Sequence, residues 1–136
     1  MSKILGIDYG KKMTGLSITD SKKKFAFGLD VVHTNKLMNF LKSFKIENSI
    51  EKIVIGLPKN LNNEEFSIEK YIKKFIFKFR LQYPRIRIDR LDERFTSKIA
   101  FHAMIESGIK KKKRRKKEIL HKISAIIILQ SYLKKN

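Results

Sequence analysis

The chain has 136 residues, no cysteine and a formal net charge of +19. That length suits one domain with a real core, and the missing thiols exclude disulfides and thiolate metal centres. No apolar run reaches the roughly 20 residues that cross a bilayer, and the first residues lack a signal-peptide pattern, so the sequence predicts a cytoplasmic protein without a membrane partner.

The first strand, Ile4-Leu5-Gly6-Ile7-Asp8, runs unbroken from apolar residues into a carboxylate. Such a run is buried on both faces, so it belongs in the middle of a sheet, and an acid at its carboxyl end stands where open α/β sheets place ligands. Gly10 leaves the backbone free to turn without crowding Asp8. A turn aspartate before a hairpin is the plainer reading of the same residues. Met13 to Asp20 alternates as a second strand and Lys24 to Val32 as a third, joined by short turns into an antiparallel meander. Thr34 is placed to cap a helix over Asn35–Lys45.

Lys52–Leu57 is a fourth, buried strand ending at Gly56-Leu57-Pro58, followed by a loop and a helix from Glu64 to Gln82. Arg85–Leu91 alternates as a charged edge strand and runs into Asp92-Glu93-Arg94. Thr96 or Ser97 opens a helix that Gly108 ends. Eight consecutive cations follow, Lys110, Lys111, Lys112, Lys113, Arg114, Arg115, Lys116 and Lys117. Their mutual repulsion predicts a mobile loop or frayed helix start over 110–117. A last helix covers Glu118–Leu133, with Ile119, Ile123, Ile126 and Ile127 expected in the core.

Right-handed crossovers make strands four and five parallel to strand one, which predicts an α/β domain over residues 1–136 with a five-stranded mixed sheet in the order 3-2-1-4-5. Asp8, the Gly56-Leu57-Pro58 loop and Asp92-Glu93 then emerge along one sheet edge. Converging carboxylates need a cation between them, and an all-oxygen cluster suits Mg2+ or Mn2+, singly or as a pair. Such ions hold a phosphodiester and activate water. A large positive charge attracts polyanions. A lysine-, isoleucine- and asparagine-rich composition is also what a low-GC genome imposes, so clustering carries more weight than the total. A metal-dependent nuclease site is the reading that joins these features; for Asp92-Glu93-Arg94 alone, a surface turn with an ion pair is the plainer one.

Gly6-Ile7-Asp8-Tyr9-Gly10, Gly56-Leu57-Pro58, Asp92-Glu93-Arg94-Phe95-Thr96-Ser97 with Ala100, and Ser124 through Leu133 occur in this order. Together they resemble the YqgF/RuvX family of RNase H-like nucleases, which are described as pre-16S rRNA nucleases or Holliday-junction-resolvase-like proteins. The resemblance spans essentially the whole chain. It implies an RNase H-like fold and a phosphodiesterase acting on structured RNA, in 5′-end maturation of pre-16S rRNA, or on branched DNA, as a monomer or homodimer. It matches Asp8 to the family's first acid and Glu93 to its second, with Asp92 as alternate, since neighbours on a strand face opposite ways. Arg94 matches the family arginine and meets a phosphate or orients the acids.

Two departures stand out. Met13 replaces an arginine in the turn after Gly10, leaving Lys11 and Lys12 as flexible point charges for phosphate. His121 stands where the family has an aspartate in the last helix. Histidine can ligate a metal or act as a base, and Glu118, one turn earlier, can supply the carboxylate. The lysine run at 110–117 is expected to track phosphates, and His33 and His102 to be structural or surface residues. Two rivals remain: a non-catalytic nucleic-acid-binding module with a degraded site, and an actin-like ATPase, which needs a second lobe.

Overall fold

The computed structural model describes residues 2–57, 63–92 and 113–135, with 63–67 and 113–117 described by backbone alone. Glu93, Arg94, Lys110, Lys111, Lys112, His102, the Pro58 loop and the helix expected after Thr96 lie outside them. Strands β1 (Lys3–Asp8), β2 (Met13–Thr19), β3 (Ala26–His33), β4 (Ile50–Leu57) and β5 (Arg87–Asp92) form one sheet in the order β3-β2-β1-β4-β5. β1 pairs antiparallel with β2 and parallel with β4; β2–β3 is antiparallel and β4–β5 parallel. The strand order and directions expected from the sequence are those observed.

Strand alternation divides the core in two. Leu5, Ile7, Leu16, Ile53 and Ile55 face α1 (Leu37–Ser43) and α2 (Asn63–Gln82), packing with Leu41, Ile72, Phe75 and Phe79. Ile4, Val54 and Leu91 face α3 (Lys113–Lys135), packing with Ile128, Leu129 and Tyr132. β1 is thus covered on both sides, which is why it carries no polar residue between Lys3 and Asp8.

Several local expectations change. The first helix is short: a 3-10 turn at Thr34–Lys36 precedes α1, and Lys45 in the left-handed region (φ 57°) ends it before a second 3-10 turn at Ile46–Asn48. Thr34 does not cap it. Its hydroxyl donates to the Gly10 carbonyl at 2.7 Å and lies 2.8 Å from the Thr14 hydroxyl, tying this segment to the β1–β2 turn. α3 begins at Lys113, so the second half of the basic run is helical. Lysine and arginine are good helix formers, and like-charge pairs cost only a few tenths of a kcal/mol each, about 0.2–0.5.

The buried stripe of α3 is also rotated from the expected one. Leu120, Ser124, Ala125, Ile128, Leu129 and Tyr132 are buried, whereas Ile119 is 46% exposed and Ile123, Ile126 and Ile127 are half-buried. The sheet explains this. β2 presents Gly15 and Ser17 beneath the helix, and the Ser17 hydroxyl donates to the Ala125 carbonyl at 2.7 Å. Small residues on both sides let the backbones approach, so the Ser124–Ala125 side turns inward rather than the bulkier isoleucines.

Candidate active site

Asp8 ends β1 and, by alternation from Ile7, faces α3. Its residue is 7% exposed. His121, in the first half of α3, brings Nδ1 to 3.6 Å from Asp8 Oδ2. That is beyond hydrogen-bonding distance, and among the described residues this buried Nδ1 has no hydrogen-bond partner. A buried nitrogen left without one costs about 1–3 kcal/mol, so the arrangement favours a further group between or beside the two side chains.

Two glycines make the approach possible. A Cβ on Gly15 would overlap the His121 carbonyl, so only glycine lets α3 sit this close to β2. A Cβ on Gly10 would overlap the Met13 carbonyl and lie 3.2 Å from His121 Cε1. The sequence predicts that Gly10 frees a sharp turn; no described glycine has positive φ, and Gly10 is needed for space, chiefly against the Met13 carbonyl and secondarily beside the His121 ring.

The carboxyl ends of β4 and β5 reach the same edge. Ile7 is level with Ile55, and Leu57 with Asp92. Asp92 lies two strands from Asp8, about 10 Å at the usual strand spacing. It shares the parity of Arg90, which bonds α2, so Asp92 belongs to the face opposite Asp8 and His121. Glu118 is exposed and lines a cleft with Met13, His33 and Lys36 on the β3 side. Among the described residues no three acidic or histidine side chains form a metal-ligating group, so Asp8 and His121 are the pair the fold brings together. Lys11 and Lys12 are exposed in the turn after β1, beside the pair in sequence. His33 is a surface residue, as expected.

One residue that the sequence did not single out has a structural part. Arg90 donates through Nη1 and Nη2 to the two carboxylate oxygens of Glu69 in α2, at 3.0 and 2.8 Å. It also donates to the carbonyls of Gly56, at 2.9 Å, and Ile55, at 3.3 Å. It therefore holds the end of β4 level with Asp8. An arginine in a charged strand offered no sequence signal for this. At the far end of the sheet the Lys52 ammonium donates to the Tyr132 hydroxyl at 2.6 Å, and that hydroxyl donates to Asp89. The Tyr132 bond, then Lys52, holds the Asp89 carboxyl below its ordinary range; the Tyr132 bond and Asp89 raise Lys52. The network fastens the C-terminal half of α3 to β4 and β5.

A five-stranded mixed sheet in this order, flanked by helices on both faces and bearing an acid at the end of its central strand, is the RNase H-like fold of the RuvC resolvases. The RuvC structure of Thermus thermophilus superposes with a TM-score of 0.58 at 14% identity, covering 98% of this chain and 96% of that one. The same protein in complex with a Holliday junction substrate gives 0.57, covering 99% and 96%. The RuvX family model, described as Holliday junction resolvase, matches residues 2–135. Relatives provisionally named pre-16S rRNA nuclease include one from Flavobacterium psychrophilum, 45% identical over 98% of this chain and 97% of its own, and one from Bacteroides thetaiotaomicron, 43% identical over 98% and 96%. The chain belongs to the RuvX family.

Proposed function

We propose that this chain is a divalent-metal-dependent nuclease that hydrolyses phosphodiester bonds in structured RNA, in maturation of the 5′ end of pre-16S rRNA. The observation that carries the reading is the buried Asp8 carboxylate 3.6 Å from the Nδ1 of His121, which has no hydrogen-bond partner among the described residues, at the edge where this fold places ligands. The names of relatives at 43–45% identity supply the substrate class. Such a substrate agrees with the cytoplasmic placement expected from the sequence. Among the described residues no helix is long and apolar enough to cross a membrane.

The donor set fits a metal. Asp8 offers carboxylate oxygen and His121 an imidazole nitrogen, and both stand at one point without a direct bond. Asp8, His121 and Glu93 would hold the ion, with Glu93 preferred over Asp92 because Asp92 belongs to the other face. When bound, the ion supplies water activation and stabilisation of the leaving oxygen. A mixed oxygen and nitrogen set favours Mn2+ over Mg2+, which prefers oxygen ligands alone. Lys11 and Lys12, on the turn next to Asp8, attract the phosphates flanking the scissile bond, as do the cations at 110–117 and Arg94.

Junction resolution is the second reading, favoured by the family model's description and by the resolvase neighbours. Both are tested by offering a labelled 5′ segment of 16S rRNA precursor and a four-way DNA junction, with Mg2+ or Mn2+, to wild type and Asp8→Asn. Cleavage of the RNA, lost in Asp8→Asn, is expected. Preferential cutting of the junction selects the second reading. Binding without cutting of either substrate overturns the nuclease reading and supports a binding module.

A further inference from the structure

A cleft of about 410 Å³ opens between α1 and α2, on the sheet face opposite His121. Tyr9, Lys11, Asn35, Tyr71, Lys74 and Lys78 are among its lining residues, and none of the described residues lining it is a carboxylate. It starts at the active edge, because Tyr9 directly follows Asp8 and alternation sends the two side chains to opposite faces. The Tyr9 ring is anchored against Phe75, with centroids 5.7 Å apart. Tyr71 is 49% exposed, with Lys74 Nζ 6.0 Å from its ring centre. Tyr71, Lys74 and Lys78 follow helical i, i+3, i+7 spacing and so share one face of α2. The Thr34 backbone N–H donates to the Lys12 carbonyl at 2.8 Å and the Thr34 hydroxyl to Gly10, which fixes the turn carrying Lys11 at the mouth of the cleft.

We propose that this cleft binds an unpaired segment of the nucleic-acid substrate, with one base stacked on Tyr71 and the flanking phosphates held by Lys11, Lys74 and Lys78. The reading rests on the proposed nuclease function for the source of the strand. The chemistry selects the ligand. An exposed aromatic ring beside three lysines meets both parts of a nucleotide at once: a π-face for the base and charge for the phosphates. A duplex keeps its base faces stacked inside, so only an unpaired strand can use Tyr71. Burial, followed by the neighbouring Tyr71, raises the Tyr9 phenol, so the cleft floor adds no negative charge against the phosphates. A strand crossing the carboxyl edge at Lys11 reaches the Asp8–His121 pair on one face and this cleft on the other. The cleft therefore gives the enzyme a means of preferring a site beside unpaired sequence.

The test is fluorescence anisotropy of the full chain with a labelled oligouridylate about ten nucleotides long, a length within the usual single-strand site sizes. EDTA is present throughout, so no cleavage is read and inactivity in the cutting assay leaves this result standing. Tyr71→Ala is expected to weaken binding at least about five-fold, as loss of one stacked base does. Tyr71→Phe keeps the ring and binds as wild type. Lys74→Gln with Lys78→Gln lowers the log–log salt slope by about 1.4, two single-strand phosphate contacts at about 0.7 each. Affinity for a blunt RNA duplex is unchanged by Tyr71→Ala. Wild-type affinity in Tyr71→Ala, an equal loss for duplex and single strand, or an unchanged salt slope in the lysine variant overturns the proposal.

Discussion

Replacing Arg90 by methionine keeps the stem of the side chain and removes the guanidinium. The structure sets the size of the effect. Arg90 and Glu69 are only 21% and 20% exposed as side chains, and the fork is bidentate at 3.0 and 2.8 Å. An exposed ion pair contributes about 0–1 kcal/mol, whereas leaving one partner of a buried pair alone costs about 3–5. At this burial, and with the Gly56 and Ile55 carbonyls also losing their donor, Arg90→Met should cost about 2–3 kcal/mol. Urea unfolding reads it directly. With a slope near 1.5 kcal/mol per molar urea, the midpoint should fall by about 1.3–2 M without a change in slope. Glu69→Gln combined with Arg90→Met should cost less than the sum of the single changes, because no charge is then stranded. Cleavage, measured where the variant is fully folded, should also fall, since the fork positions the end of β4 beside Asp8. A midpoint within about 0.3 M of wild type would show that solvent screens the fork and that it adds little to stability.

Three other outcomes follow from the same geometry. His121→Ala should weaken Mn2+ binding by about ten-fold or more, a loss typical even for residues that only support a ligand, while His121→Asp should restore binding and shift preference toward Mg2+; calorimetric titration matching wild type in both variants would remove His121 from the site. Gly15→Ala should push α3 off β2, costing about 1–3 kcal/mol as overpacking does, and should reduce cleavage more than thermal stability alone accounts for; a normal melting temperature would contradict the close approach. Tyr132→Phe should lower the melting temperature at neutral pH, with a difference that narrows on acidification. Asp89 is depressed in the folded state, so its contribution is present above the unfolded carboxyl value near 3.9 and disappears as pH falls through the lower folded value. Lys52 is raised, so its share holds at neutral pH and is lost only above about 10.4. A gap that stays constant down to pH 2 would argue against the network.

Strand order and the place of Asp8 were legible in the residues alone. Unbroken burial of Ile4 to Ile7 requires a central strand, short turns require a meander, and crossover handedness leaves one arrangement for β4 and β5. These are local or topological constraints, so pattern and spacing carry them. Family membership was legible for the same reason: its motifs lie in linear order.

Tertiary structure decided what depends on close approach between distant segments. Which stripe of α3 is buried follows from Gly15, Ser17 and Ala125, on elements far apart in sequence, and helical periodicity alone pointed instead to Ile119, Ile123, Ile126 and Ile127. The pairing of His121 with Asp8, the separation of Asp92 onto the other face, the hold of Arg90 on Gly56, and the gathering of Lys11 with Tyr71 and Lys74 have the same origin. A periodic pattern reports how a segment partitions between water and core; which side chain meets which is set by packed backbones a few ångströms apart, and that distance is a property of two segments together.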